Sequence, residues 1–240
     1  MKRKALILIS LLLSLFGCKD GTDTSLSSSI DKDKTIADEN LNINLNYKFS
    51  SIVVDESKTT SYLKNIGMVY GSGFVFDLTQ LISDEEKTAH LEYYFLNDGS
   101  NKSAKVFSFD DIDYYYNENE SFSQLNMQEY FNVQNQISNC SFAFVDTKNK
   151  GNDVIDTFET TDAFYDFSMD IGQSFTKTTL IFTNNVLTKI IGVLPNSFKD
   201  SLVGVDGLEN LTLYNEIEIS DIGNAQALHE IKKIRIINLT

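Results

Sequence analysis

After residue 40 the chain alternates hydrophobic and polar side chains. In the segment 41–49, five apolar residues occupy the odd positions, and Asn or Lys occupies every even position. This period of two is typical of a strand with one buried face and one solvated face. It recurs at 68–76, 89–95 and 163–171, with shorter candidates at 105–109, 141–145, 178–182, 186–193, 211–222 and 231–239. The pattern predicts a mainly β domain, an antiparallel sandwich or barrel of about nine or ten strands.

The segment 163–171 gives a clear alternation. Tyr165, Phe167 and Met169 share one phase, whereas Asp166 and Ser168 share the other. We therefore expect a strand that holds its aromatic and aliphatic side chains in the core and its carboxyl and hydroxyl groups in solvent.

One stretch has helical spacing instead. Met127, Phe131 and Gln134 fall on one helical face, and Ser121 with Gln124 forms a capping box at the expected start. These features predict a helix over 122–138 that covers part of the sheet. Pro195 suits the first turn of a second, short helix, because its fixed φ matches a helix start.

Two similar segments, 208–215 and 231–238, lie 23 residues apart and have a spacing found in leucine-rich repeats. Two copies are too few to bury a solenoid core. We therefore interpret 211–222 and 231–239 as a terminal β-hairpin.

The first eighteen residues combine a basic head, an apolar stretch and a terminal cysteine. As a helix, the twelve-residue apolar stretch 5–16 would rise about 18 Å, against a bilayer core of about 30 Å. Because it is too short to span comfortably, it predicts a cleaved export signal. The last four residues resemble the lipobox of bacterial lipoproteins: Leu15-Phe16-Gly17-Cys18.

The lipobox resemblance implies covalent lipid on the protein. Residues 1–17 would be the signal peptide, and Cys18 would carry a diacylglyceryl thioether and an N-acyl chain, palmitate being a typical component; no other cofactor is expected. Several acyl chains make release from a membrane negligible. Lys19 resembles the residue found in lipoproteins sorted to the outer membrane, and the run 19–23 resembles surface-export tags. We therefore expect a cell-envelope protein of the outer membrane, either on its periplasmic face or exposed at the cell surface.

The region after Cys18 is polar. From residue 21 to 40 it contains mainly Ser, Thr, Asp and Lys with isolated apolar residues, which is too little hydrophobic surface for a packed core. We predict a lipidated flexible tether over 18–40 and a single β-rich domain over 41–240.

Charge excludes one class of partner. The chain has 34 acidic and 20 basic residues, a net charge of −14. Anionic phosphate backbones are bound by Lys and Arg side chains that displace counterions, so we expect no nucleic-acid partner.

Candidate nucleophiles and bases are few. His90 alternates with Leu91 and His229 lies in a polar turn, and neither belongs to a recognised catalytic motif. Cys140 precedes an apolar run, which favours a small buried hydrophobe over a reactive thiol. The sequence therefore assigns no catalytic residue and no confident metal site.

An acidic and tyrosine-rich cluster is the most unusual local composition. Carboxylates there could hold a cation such as Ca²⁺, and tyrosine rings could stack on a ligand. The alternative is a strand end that runs into a solvated loop. The candidate contact residues are Asp110, Asp111, Asp113, Tyr114 and Tyr116.

Three functions stay open. The sequence favours a non-catalytic, lipid-anchored binding module for a protein or a glycan. The alternatives are a structural accessory lipoprotein of a periplasmic envelope complex, and a hydrolase built from paired carboxylates, whose spacing a sequence does not report.

Overall fold

We describe a computed structural model of the chain. It describes residues 34–37, 43, 46–71, 73–81, 86–95, 103–109, 112–117, 130–169, 173–202 and 204–225. The chain divides into two compact units, Met1–Ile30 and Asp31–Thr240, and all described residues belong to the second. None of the helices in these ranges is long and apolar enough to cross a membrane.

The described elements are mostly strands, which confirms the predicted mainly β class. The strands are β1 (Tyr47–Asp55), β2 (Ser61–Tyr70), β3 (Gly73–Gln80), β4 (Lys87–Phe95), β5 (Ser103–Phe109), β6 (Ile112–Asn117), β7 (Ala143–Lys150), β8 (Asp153–Thr160), β9 (Phe164–Tyr165), β10 (Ser174–Phe175), β11 (Lys177–Thr183), β12 (Val186–Val193) and β13 (Leu213–Ser220). Helix α1 spans Val133–Ser138, and a 3-10 helix spans Asn196–Ser201. The strands therefore exceed the predicted number.

Eleven strands form one antiparallel sheet in the order β6-β5-β4-β3-β2-β1-β13-β12-β11-β8-β7. The end strands β6 and β7 pair with β5 and β8, not with each other, so the described sheet is open and is not a barrel. The remaining strands, β9 and β10, form a separate two-stranded sheet. This small sheet lies on the large one, since the Phe175 ring packs directly over Gly192 of β12. The arrangement is sandwich-like.

The large sheet has two different faces. The packed face carries the aromatic core, which begins with Tyr47 and Phe49 on β1. Gly67 is required there, because the Phe49 and Phe76 rings occupy the space that a Cβ would need. The other face, which we call the outer face, carries the alternate residues of β1, from Lys48 to Ile52, and these are exposed or half-buried.

The predicted covering helix is interrupted in its described part: Tyr130 is helical, and Phe131 and Asn132 are not. Helix α1 begins at Val133, where the Asn132 side chain accepts a hydrogen bond from the backbone N–H of Asn135 at 2.8 Å. Asn132 thus caps a new helix inside the predicted span of 122–138, and residues 118–129 lie outside the described part. The covering role is confirmed, because Val133 and Ile137 are buried in the core.

The two C-terminal predictions had different outcomes. The short helix at Pro195 is confirmed, with Pro195 as the N-cap of the 3-10 helix. The terminal hairpin is wrong for β13, because β13 pairs with β1 on one edge and β12 on the other, which leaves no edge for 231–239. Residues 231–239 themselves lie outside the described ranges.

The strand predicted over 163–171 is also wrong. Only Phe164–Tyr165 form a strand, and residues 166–169 form a bend that lies on the packed face. Both phases of the alternation are buried: Phe167 and Met169 are at most 1% exposed, and Asp166 and Ser168 at most 2%.

Candidate functional site

The residues predicted as a ligand contact lie only partly within the description. Cys18, Asp110 and Asp111 are outside the described residues. Asp113, Tyr114 and Tyr116 belong to β6, an end strand of the large sheet, for which the backbone register is described. The acidic and tyrosine-rich cluster therefore stays a prediction.

His90 lies between two carboxylates on the outer face. Its Nδ1 is 2.5 Å from Asp77 Oδ1, directly across the β3–β4 pair, and its Nε2 is 2.9 Å from Glu92 Oε1. Hydrogen bonds to Glu92 and then to Asp77 raise the pKa of His90 to about 9, against the effect of burial. At neutral pH both ring nitrogens carry protons, so this side chain has no lone pair with which to act as a general base. His229 lies outside the described ranges.

Cys140 is half-buried between α1 and β7 and packs against the core. Its Sγ donates to the carbonyl oxygen of Ala163 at 3.8 Å. Burial, together with the nearby Asp162 carboxylate, raises the pKa of the thiol. The side chain therefore stays a neutral thiol at pH 7, which agrees with the predicted structural role.

Sequence reasoning missed a buried polar cluster between the 166–169 bend and the sheet. The Asp166 carboxylate accepts hydrogen bonds from the Ser168 hydroxyl at 2.8 Å and from the Asn215 side-chain amide at 2.7 Å. Asn65 of β2 donates to the Ser168 carbonyl oxygen. The bend is thereby joined to β2 and β13, strands that are far apart in sequence.

Several atoms of this cluster carry no hydrogen bond in the described part of the chain. They are Ser51 Oγ, Asn65 Oδ1 and Asn215 Oδ1. Burial raises the pKa of Asp166 to about 6, and hydrogen bonds from Asn215 and Ser168 oppose the rise. A carboxyl group with such a pKa is a functional candidate, but this one is 2% exposed and its hydrogen bonds lead to Asn and Ser. Glycoside hydrolysis needs two carboxyl groups on either side of a bound substrate, which this geometry does not provide.

The outer face of the large sheet is the remaining candidate. Lys189 Nζ lies 3.4 Å from Glu216 Oε2 and 3.2 Å from Glu218 Oε1, and Lys58 pairs with the other oxygen of Glu216. The ion pairs of Lys189 link β12 to β13, near the middle of the sheet. On the same face, Ile66 of β2 is 49% exposed and is separated from Glu218 by Ser50 of β1. The face thus combines mutually paired charges with accessible aliphatic surface.

No known family model matches this chain, and no curated protein is detectably similar to it. Its function is therefore argued from the residues and their arrangement.

Proposed function

We propose that this protein is a lipoprotein of the bacterial cell envelope, anchored through acyl chains on Cys18, whose β-rich domain binds a partner through the outer face of its sheet. The partner is a protein or a glycan. The anchor is supported by the lipobox-like sequence 15–18, which follows a basic head and an apolar segment too short to span a bilayer.

The observation that carries the binding role is the two-sidedness of the sheet. The packed face is closed by α1, the 3-10 helix and the β9–β10 pair, whereas the outer faces of β12 and β13 carry charges that pair with one another within the face. A strand repeats every 3.3 Å per residue and neighbouring strands lie about 4.8 Å apart. Six central strands of about eight residues therefore span about 600 Å². The part around Met68, Tyr70 and Val75 is closed, because these outer-face residues form a second buried cluster with Ala225. The open surface is therefore smaller than the roughly 800 Å² per partner of a standard protein interface.

The chemistry of the outer face favours a protein over a glycan. Sugar rings usually stack on aromatic side chains, and the chain contains no Trp. The outer face offers mainly aliphatic side chains, Ile52, Ile66 and Ile191, beside paired charges and the half-buried Tyr214. Aliphatic patches bordered by polar residues are typical of protein interfaces.

The anchor is tested by metabolic labelling with radioactive palmitate in the native host. We expect the wild-type chain to take up label and to fractionate with membranes, and Cys18→Ser to do neither. Labelling or membrane retention of Cys18→Ser at wild-type levels would refute the anchor.

The binding role is tested by photocrosslinking in intact cells. A photoreactive amino acid at Ile66, on the outer face, should give a discrete adduct with one envelope or surface component. The matched control is Val154, which is 40% exposed and lies on the packed-face side of β8. Equal adducts from both positions, or none from Ile66, would contradict the proposal.

Protease treatment of intact cells separates the two settings of this function. A surface-exposed binding module is degraded, whereas an accessory lipoprotein of a periplasmic complex survives and is crosslinked to a periplasmic component. An Ile66 adduct that proves to be polysaccharide would assign a glycan ligand.

A further inference from the structure

The segment Lys34–Ala37 contacts the domain, although it lies in the span 18–40 for which composition predicts a flexible tether. Lys34 forms an ion pair with Asp156 of β8, and its Nζ lies 6.0 Å from the centroid of the Phe144 ring. Ile36 packs against the main core. We call residues 34–37 the strap.

Lys34 of the strap pairs with the carboxylate of Asp156, which is buried in the folded domain. The Asp156 side chain is 3% exposed because it lies two residues before Phe158 and shares the packed face of β8 with it. One of its oxygens accepts a hydrogen bond from the Thr147 hydroxyl at 2.6 Å, and the other contacts Lys34. A buried carboxylate that loses its cation is strongly destabilised, so the ion pair favours the docked strap.

Apolar contacts hold the strap at the same place. Thr35 and Ile36 line a small pocket with Phe158 and Phe182, two aromatic residues of the packed face. The ammonium group of Lys34 reaches Asp156 beside this pocket, near the Phe144 ring. Charge and packing therefore select the same position for the strap.

The position of the strap decides where the tether leaves the domain. Asp156, Phe158 and Phe182 lie on the packed side of the sheet, whereas their neighbours Thr157 and Glu159 lie on the outer side. Lys34 lies sixteen positions after Cys18, which gives a root-mean-square reach of about 20–24 Å at 5–6 Å times the square root of that number. The tether therefore leaves the domain from the packed side, at the β7–β8 end of the sheet.

We propose that the strap Lys34–Ala37 clamps the tether to the packed side of the sheet near β7 and β8, so that the outer face is turned away from the membrane and stays free for its partner. The clamp stands on the contacts of Lys34 and Ile36 alone. Its consequence for orientation rests on the proposed lipid anchor.

The clamp is tested on the full mature chain without a membrane. A nitroxide spin label is attached at Thr35→Cys in a Cys140→Ser background; Thr35 is exposed, so the label does not have to displace the core. We expect an immobilised spectral component that persists in Lys34→Arg and is lost in Lys34→Met. The control is Lys48→Met, which removes an exposed ion pair with Asp221 of 3.1 Å.

Two further measurements keep the clamp falsifiable. The double variant Lys34→Met with Asp156→Asn leaves no unpaired buried carboxylate, so we expect it to fold and to lose the immobilised component as well. A spectrum that is mobile in the starting background, or unchanged in both Lys34→Met and the double variant, would overturn the clamp. Mass spectrometry of the labelled chain reports separately on the anchor, because an unacylated Cys18 would take up a second label.

Orientation is tested in phospholipid vesicles that contain a headgroup-linked quencher. Fluorophores are placed at Val154→Cys, on the packed-face side of β8 two residues from Asp156, or at Ile66→Cys on the outer face, both in the Cys140→Ser background; the native side chains are 40% and 49% exposed. We expect stronger quenching at position 154, and a smaller difference when Lys34→Met is added. Quenching at position 66 equal to or above that at 154 would overturn the orientation, whereas failure to bind vesicles would refute the anchor.

Discussion

Replacing Asp166 by Asn should remove a specific pH dependence of stability. Burial raises the pKa of this carboxyl to about 6, from an ordinary value of 3.8. The folded chain therefore keeps the proton at pH values where the unfolded chain has already lost it. Between about pH 4 and pH 6 the unfolded state binds fewer protons, so stability falls as the pH rises through this window and is constant above it.

The size of the effect follows from the two pKa values. A difference of one pKa unit corresponds to about 1.36 kcal/mol, so ionisation of Asp166 costs the folded state about 3 kcal/mol by pH 7. An Asn side chain has no charge to lose. Its carbonyl oxygen can accept the bonds from Ser168. Its amide group can donate to Asn215 Oδ1 once the Asn215 amide has rotated by half a turn, because the NH2 group of Asn215 faces this position in the wild type.

The assay is urea unfolding of wild type and Asp166→Asn at pH 4, 5, 6, 7 and 8, with the difference in unfolding free energy plotted against pH. Using the difference cancels the contributions of other carboxyl groups. We expect the variant to gain about 2 kcal/mol on the wild type between pH 4 and pH 7, because at pH 4 the unfolded carboxyl group is already more than half ionised. In Ser168→Ala the carboxylate loses a hydrogen-bond donor, so the fall in stability should extend to higher pH. A difference between wild type and Asp166→Asn that does not change with pH would refute the raised pKa.

Three further outcomes are expected. Gly192→Ala should lower the free energy of unfolding by about 1–3 kcal/mol, because its Cβ would lie 2.2 Å from the Phe175 ring. The control Gly71→Ala has no atom within 4 Å of the added Cβ and should lower it far less. Equal losses in thermal unfolding would contradict this packing. The ring protons of His90 should titrate in NMR with a midpoint near 9, and stability from the His90 contacts should be full below about pH 6.5 and lost as the pH rises through 9; a midpoint near 6.5 would show that the carboxylate contacts are absent in solution. Alkylation of Cys140 by iodoacetamide at pH 7 should be slower than that of an unfolded cysteine peptide, and an equal rate would contradict its burial.

The sequence predicts a mainly β fold because alternating apolar and polar residues distinguish the buried face of a strand from its solvated face. On β1, Tyr47 and Phe49 are buried and Lys48 and Ser50 are exposed, as the period of two requires. The pattern does not report which strands pair. The chain brings β13 between β1 and β12, a pairing that joins residues more than 150 positions apart in sequence, such as Ile52 and Glu216.

The same alternation misleads where a bend is buried on all sides. Asp166 and Ser168 have the spacing of solvated strand residues, but the bend lies between the sheet and its covering elements, where every side chain is enclosed. The polar groups are tolerated because Asn65 and Asn215 project from the packed face at matching positions. The sequence does contain a signal for this cluster, because Asn65 and Asn215 each interrupt the apolar face of a strand. An amide in a buried phase requires a hydrogen-bond partner, and here that partner is the bend.

Composition predicts a flexible tether over 18–40, but residues 34–37 contact the folded domain. Averaged over residues 21–40, polar content predicts a spacer, because too little apolar surface is present to offset the entropy of ordering. The average hides Lys34 and Ile36, whose partners Asp156 and Phe158 follow more than 120 residues later. A segment need not hold a core of its own to be ordered, since an existing core with one unpaired carboxylate and one apolar pocket supplies both contacts. Composition therefore predicts the flexibility of a tether only up to the first residue that the folded domain can bind.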